Sequence, residues 1–186
     1  SGAGSLWMMV RLLSILIYVI CKKIKAFQYG QEDVGNAKIK EFVNNLGMNL
    51  DNVYESYSIG GLSEGVTTLQ MAAAYAAFAN SGYYTEPYSV TSIKYRSTGE
   101  TTDFDIKKKQ AMKDSSAYLV TNCLEYAAKN GFSGGTSGYG GTVAVKTGTS
   151  NYPESVLKKH GLPSYAVNDL WSVAYTPEYS IALWIA

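Results

Sequence analysis

The sequence predicts an α+β fold in which an antiparallel sheet is flanked by helices. Two β-prone runs, residues 170–175 and 179–185, follow each other directly and are separated only by the turn Thr176-Pro177-Glu178. An alanine-rich stretch at residues 67–80 predicts a helix, because alanine is the strongest helix former. Since the strands are consecutive and do not alternate with helices, the order favours an antiparallel over a parallel sheet.

The N-terminal half of the predicted fold contains two helices. Residues 33–46 have apolar side chains at helical spacing, and Gly47 is a natural stop. A polar connection at residues 49–58 and a turn at Gly60-Gly61 lead to the helix at 67–80, which Ser81-Gly82 should end.

The C-terminal half begins with a predicted hairpin, in which residues 88–95 form a strand and residues 97–99 form a turn. Residues 115–129 again show helical periodicity. A glycine-rich connector at 131–141 precedes a β-prone run at 142–145, which we expect to deliver Lys146-Thr147-Gly148-Thr149 at its end.

Composition excludes several classes of function. Of the 186 residues, 46% are hydrophobic and 17% are charged, which is typical of one globular domain. A net charge of +1 creates no field that attracts nucleic acid. Cys21 and Cys123 could pair or stay free, and they match no metal-ligand spacing. His160 is the only histidine and is expected on the surface, so we predict neither a metal nor a cofactor.

The most hydrophobic stretch, residues 6–21, precedes a lysine cluster and has three explanations. It could be a membrane anchor or signal, although Arg11 divides it into pieces shorter than the roughly 20 residues that a spanning helix needs. It could be a buried helix. It could also be foreign to the rest of the chain, through a frame error, a fusion scar or a degenerate gene.

Lys146-Thr147-Gly148-Thr149 is the strongest chemical signal in the sequence. We expect the ammonium of Lys146 and the hydroxyls of Thr147 and Thr149 to face the same side of a strand and to bind a carboxylate together. Gly148 should keep the other face of the strand thin, so that neighbouring structure packs closely.

Three ordered blocks resemble one known family: residues 59–90 (IGGLSEGVTTLQMAAAYAAFANSGYYTEPYSV), 143–151 (VAVKTGTSN) and 169–186 (DLWSVAYTPEYSIALWIA). Together they are similar to the class A high-molecular-mass penicillin-binding proteins. The resemblance implies a β-lactamase/transpeptidase-like fold and a serine DD-transpeptidase that cross-links peptidoglycan stem peptides and is acylated by β-lactams. It also implies that Lys146, Thr147, Gly148 and Thr149 bind the substrate or β-lactam carboxylate.

The family's nucleophile motif S-x-x-K and its S-x-N motif should both precede Lys-Thr-Gly, and this sequence contains neither there. The one S-x-x-K match, Ser155 to Lys158, follows the motif in a segment, residues 151–168, that we interpret as an exposed loop, so we predict a chance match. Glu64 and Glu178 each lie in a predicted turn and are expected to be solvated.

The resulting division is an atypical apolar segment at 1–25 and a partial transpeptidase domain, truncated at its N-terminal side, at 26–186. The expected parent protein is anchored at the extracytoplasmic face of a bacterial membrane and also has a glycosyltransferase domain. Two alternatives remain: a noncatalytic module that binds peptidoglycan peptides, and a membrane-anchored scaffold.

Overall fold

The computed structural model describes residues 34–54, 65–131, 136 and 138–185. Within these ranges the chain forms four helices and seven strands. The helices are α1 (Asn36–Asn45), α2 (Thr68–Ala79), α3 (Asp114–Gly131) and α4 (Glu154–His160). The strands are β1 (Tyr83–Thr85), β2 (Ser92–Lys94), β3 (Thr101–Asp103), β4 (Lys108–Gln110), β5 (Ala144–Asn151), β6 (Val167–Tyr175) and β7 (Ser180–Ile185). The α+β prediction is confirmed.

The largest sheet has the strand order β5-β6-β7, and both pairs are antiparallel. The predicted C-terminal hairpin is therefore confirmed as β6 and β7. Its turn is closed by Thr176, whose backbone N–H donates to the carbonyl of Tyr179 and whose hydroxyl accepts from the N–H groups of Glu178 and Tyr179. Among the described strands, β5 is paired on one side only, which leaves its other edge unpaired.

Helix α2 confirms the alanine-rich prediction and supports the sheet. Thr67 caps it, because the Thr67 hydroxyl accepts from the N–H of Gln70 while the Gln70 side chain accepts from the N–H of Thr67. The alanines let the helix approach closely: the hydroxyl of Ser180 in β7 donates to the carbonyl of Ala72 over 2.7 Å.

The hydrophobic core lies between α2, α3, α1 and one face of the sheet. Its most buried members come from all four of these parts: Val43, Leu46, Met71, Ala74, Ala117, Val120 and Val173. The rings of Tyr75 and Phe78 in α2 pack against the ring of Tyr175 in β6, with centroids 6.1 and 6.3 Å apart. Burial of these aromatic rings supplies a large share of the apolar contact that stabilises the fold.

Helix α1 ends where the sequence predicts, at a left-handed glycine. Gly47 has φ 78°, and the N–H groups of Gly47 and Met48 donate to the carbonyls of Asn44 and Val43. A Cβ atom at Gly47 would also overlap the hydroxyl of Tyr84 in β1. Glycine is therefore required there for two separate reasons, the backbone angle and the approach of β1.

Two small sheets lie between α2 and α3. The predicted hairpin is confirmed as β2 paired with β3, although the strands have three residues each and are exposed. The pairing of β1 with β4 was not predicted. Both strands of this pair are short. They are separated by a long connection, and no local sequence pattern indicates that they pair.

Two predictions on the C-terminal half are wrong. The interpretation of residues 151–168 as a loop fails because α4 occupies Glu154–His160 and β6 begins at Val167. Lys146 to Thr149 lie on a strand, as expected, but in the middle of β5 and not at its end. The segment 1–25, the turn at Gly60-Gly61, Glu64 and Cys21 lie outside the described residues. Of the helices in the described ranges, none is long and apolar enough to cross a bilayer.

Candidate active site

The motif Lys146 to Thr149 occupies the centre of β5. Lys146, Thr147 and Thr149 are half-buried, and Gly148 is buried. The strand is held along one side by continuous pairing with β6 from Ala144 to Ser150. Because regular sheet pairing fixes the backbone, the motif's side chains leave the strand in defined directions.

The cross-strand register shows on which face each side chain lies. Lys146 is opposite Val173, which is fully buried under the helices, whereas Thr147 is opposite the half-buried Ser172. Residues directly opposite in an antiparallel pair project to the same face, and successive residues alternate. Lys146 therefore lies on the helix-covered face, and Thr147 and Thr149 lie on the other. The expectation that all three groups face the same side is wrong, because the lysine is one residue out of phase with the threonines.

Side chains on opposite faces can still act together at the edge of a strand. A ligand that lies along the edge of β5 with which no described strand pairs can be approached from above by one set of side chains and from below by the other. The ammonium of Lys146 donates to the carbonyl of Thr147, which keeps it close to the strand backbone. This geometry therefore allows a carboxylate ligand to lie along the edge of β5, with Lys146 on one side of it and Thr147 and Thr149 on the other.

Gly148 lies opposite Trp171, on the helix-covered face. Trp171 is only 4% exposed, and its ring is 6.3 Å from that of Trp184, its partner in β7. Gly148 is thus the cross-strand neighbour of a large buried indole.

A buried carboxylate next to the motif strand was missed by sequence reasoning. Asp169 in β6 is 2% exposed and lies opposite Ser150 in the register. Its two oxygens accept from the indole N–H of Trp184 over 3.0 Å and from the side-chain amide of Asn168 over 2.6 Å. The only available signal was an acidic residue at an inward position of an otherwise apolar alternating run. Asp169 fixes the end of the hairpin beside β5.

The one S-x-x-K match lies on a solvent-exposed helix. Ser155 is exposed in the first turn of α4, and Lys158 forms an ion pair with Glu154, both with more than three-quarters of their side-chain surface exposed. An ammonium in water beside a carboxylate does not activate a serine as a buried lysine would. His160 and Glu178 are also exposed. In the described part of the chain, no three His, Cys, Asp or Glu side chains form a cluster that could hold a metal ion.

A groove of about 190 Å³ lies at the start of β5, where Thr142 and Ala144 contribute to its lining. Phe78, Thr121, Glu125 and Tyr175 contribute to its lining. The hydroxyls of Tyr175 and Thr121 are 3.0 Å apart. Burial raises the pKa of Tyr175 to about 12; the Thr121 hydrogen bond acts in the opposite direction, and Glu125 adds to the increase. Tyr175 is thus a neutral, structural phenol at neutral pH.

A Lys-Thr-Gly motif on a strand of an antiparallel sheet that helices cover is typical of the penicillin-recognising enzymes. The family model for the penicillin-binding protein transpeptidase domain matches residues 20–185. The chain belongs to this family.

Named relatives agree with this assignment. Penicillin-binding protein 1A/1B of Bacillus subtilis is 42% identical over 165 residues, which are 87% of this chain and 18% of the relative. Penicillin-binding protein 1A of Streptococcus oralis is 34% identical over 82% of this chain and 25% of its own length. This chain thus spans a quarter or less of these two relatives. The structure of penicillin-binding protein A of Mycobacterium tuberculosis, as a ceftriaxone acyl-enzyme complex, has a TM-score of 0.65 at 19% identity, covering 86% of this chain and 40% of that one. At that identity the likeness shows the fold alone.

Proposed function

We propose that this chain forms the carboxylate-binding side of the acyl-transfer site in a serine DD-transpeptidase that cross-links peptidoglycan stem peptides. The observation that supports this most strongly is the position of Lys146, Thr147, Gly148 and Thr149 on β5, an edge strand among the described residues. A peptide or β-lactam lying along such an edge can pair with backbone groups while its terminal carboxylate reaches the motif side chains.

Each motif residue has a distinct proposed role. Lys146 supplies a positive charge from the helix-covered face, and the hydroxyls of Thr147 and Thr149 donate hydrogen bonds from the other face. Gly148 keeps the strand thin next to Trp171. The edge of β5 also offers backbone N–H groups, one of which can stabilise the oxyanion that forms when the serine attacks the D-Ala-D-Ala carbonyl.

The nucleophilic serine is proposed to lie outside these 186 residues. No S-x-x-K or S-x-N motif precedes Lys146, and the match at Ser155 is on an exposed helix. Chemistry of this kind requires a serine that is buried beside its activating lysine. By itself the chain therefore provides substrate-binding groups without the acylated residue.

The remaining parts of the proposal concern the parent protein. We place residues 1 to about 25 outside the transpeptidase domain; the family match begins at residue 20 and so differs from this boundary over residues 20–25. The parent is proposed to be membrane-anchored at the extracytoplasmic face, with a glycosyltransferase domain and with stem peptides or β-lactams as ligands. A noncatalytic peptide-binding module is the second candidate, because the motif strand is present without its nucleophile.

A fluorescent penicillin tests the missing nucleophile directly. We expect the 186-residue chain to show no covalent band after denaturing electrophoresis. The Ser155→Ala variant should give the same result as the unchanged chain. A stable adduct that maps to one serine would show that the chain contains its own nucleophile and that the proposal is wrong on this point.

A further inference from the structure

The groove at the start of β5 has a charge that the proposed transpeptidase function does not use. Its volume of about 190 Å³ is below that of most small-molecule sites, so it admits a side chain or a small ligand. It lies between α3 and the end of the sheet, where Ala144 and Tyr175 are directly opposite each other on the helix-covered face. We refer to it as the acidic groove, because its described lining includes Asp114 and Glu125 and no lysine, arginine or histidine.

One face of α3 forms a wall of the acidic groove. Four of the lining residues, Asp114, Tyr118, Thr121 and Glu125, follow at alternating steps of four and three residues, so they lie along one stripe of the helix. At about 1.5 Å per residue, the two acidic positions are about 16 Å apart along the helix axis, so one small cation cannot contact both. Asp114 lies in the first turn of α3, where the helix dipole offsets part of its charge. Glu125 is therefore the carboxylate with more to gain from a cation.

Glu125 is half-buried, and no cation of the described chain pairs with it. Lys129 is four residues further along α3, at the spacing that favours a helical ion pair, yet no ion pair joins these two residues. Lys146 follows Ala144 by two residues on the same face of β5, but its ammonium donates to the carbonyl of Thr147. A half-buried carboxylate without a counter-charge is less well solvated than one in water, so it gains from binding a cation.

The floor of the groove adds hydrogen-bond acceptors and an aromatic surface. The hydroxyls of Tyr175 and Thr121 are 3.0 Å apart, and since one hydrogen bond uses one lone pair, each oxygen keeps at least one for another donor. Besides burial, which has the larger effect, the charge of Glu125 raises the pKa of Tyr175, so the carboxylate lies near enough to interact with this phenol. The ring of Tyr118 lines the same groove and is 66% exposed, which leaves it accessible to a cation.

The rest of the lining decides which kind of cation fits. Phe78, Ala144 and Pro177 are apolar and suit a short methylene chain behind the charged group. In the described part of the chain, Glu125 belongs to no cluster of three side chains that could hold a metal ion. A guanidinium is planar and matches a carboxylate in a flat, two-pronged arrangement, whereas a compact ammonium can direct separate N–H groups to a carboxylate and to the two hydroxyls.

We propose that the acidic groove binds a primary ammonium group carried by a short apolar chain, with Glu125 as the counter-charge. The hydroxyls of Thr121 and Tyr175 accept hydrogen bonds from the ammonium, and the ring of Tyr118 adds a cation–π contact. The lysine side chain of a peptide and a free alkylamine share this chemistry. The site does not depend on the proposed transpeptidase function, because none of its lining residues belongs to the Lys-Thr-Gly motif.

Titration of the isotope-labelled 186-residue chain with butylammonium chloride, followed by amide NMR shifts at constant ionic strength, tests the proposal. We expect saturable shifts at Thr121, Glu125 and Tyr175. Butan-1-ol has the same carbon chain and no charge, so we expect it to bind about tenfold more weakly or not at all. This comparison uses the unchanged chain and needs no variant to fold.

Three variants assign the affinity to individual groups. Glu125→Gln removes the charge and keeps the shape, so it should weaken butylammonium binding by about tenfold or more. Tyr118→Leu should weaken it by about threefold, in line with a cation–π contact at an exposed ring. The matched control Glu100→Gln, at an exposed position between β2 and β3, should change the affinity by less than about twofold.

A lysine with acetyl and methylamide caps on its backbone separates the two sources of the ammonium group. Binding of this capped lysine in addition to butylammonium supports a peptide side chain as the ligand, and binding of butylammonium alone supports a free alkylamine. Absence of butylammonium binding at the lining residues, equal binding of butan-1-ol, or the same loss in Glu125→Gln and Glu100→Gln would overturn the proposal.

Discussion

The two faces of the β5-β6-β7 sheet differ sharply in burial, although the same three strands form both. On the helix-covered face, Val173 is fully buried and Trp171 is 4% exposed. On the opposite face, Leu183 is 54% exposed and Ile181 is 64% exposed. Stability should therefore depend on one face, while the other contributes little in this chain. The motif strand β5 has Lys146 on the helix-covered face and Thr147 and Thr149 on the opposite face.

The largest expected loss of stability on the covered face comes from Asp169→Ala. Its removal leaves the part-buried indole N–H of Trp184 and side-chain amide of Asn168 without this acceptor, and it empties a buried position in β6. We expect the free energy of unfolding in urea to fall by about 3 kcal/mol. Asp103→Ala, at an exposed position of β3, should cost less than about 0.5 kcal/mol. Equal losses in the two variants would contradict the role assigned to Asp169.

A matched pair of truncations compares the faces directly. Val173→Ala removes fewer carbon atoms than Leu183→Ala, yet we expect it to cost about 2 kcal/mol, because a cavity forms in the core. Leu183→Ala should cost less than about 0.5 kcal/mol because that side chain is already half in water. Urea unfolding of both variants measures the difference. A larger loss for Leu183→Ala would show that the open face is covered in solution.

Alkaline pH should weaken the covered face through Tyr175. Burial raises its pKa to about 12 in the folded chain, above the roughly 10 of an unfolded tyrosine. The unfolded chain thus loses the proton first, so stability is complete below pH 10 and falls as the pH rises toward 12. Near pH 11 the loss from this residue should be about 1 kcal/mol.

Tyr175→Phe provides the check on that pH dependence. The variant should lose less stability between pH 9 and 11 than the unchanged chain, as measured by urea unfolding at each pH. Some dependence should remain, because burial and the neighbouring Tyr175 also raise the pKa of Tyr75. An identical pH profile in the two proteins would rule out Tyr175 as a source of the effect.

Local sequence patterns predicted the helices and the hairpin that depend on interactions between residues close in sequence. The three longer helices and the β6–β7 hairpin follow from periodicity and from stop signals such as Gly47. Helix α4 was missed because Pro153 and Gly161 were interpreted as loop residues. In the structure they bound the helix: Pro153 is its N-cap, and Gly161 is its left-handed C-cap with φ 62°.

Features that depend on distant contacts could not be predicted from local pattern. The β1–β4 pair and the hydrogen bond from Trp184 to Asp169 each join residues on separate strands. The motif itself was found by its residues, but its geometry was not. The strand period of two puts Lys146 on one face and Thr147 and Thr149 on the other. In the proposed site, they act on one ligand from the two sides of the β5 edge.

A domain exchange tests the central claim that this edge binds the carboxylate of a penicillin. Residues 34–185 would replace the corresponding segment in the Bacillus subtilis relative, which supplies the upstream part of the domain. We predict that a fluorescent penicillin acylates the hybrid, that Lys146→Ala slows labelling by about 100-fold or more, and that Lys158→Ala leaves it unchanged. Equal labelling of the hybrid and its Lys146→Ala variant, with both folded, would contradict the account.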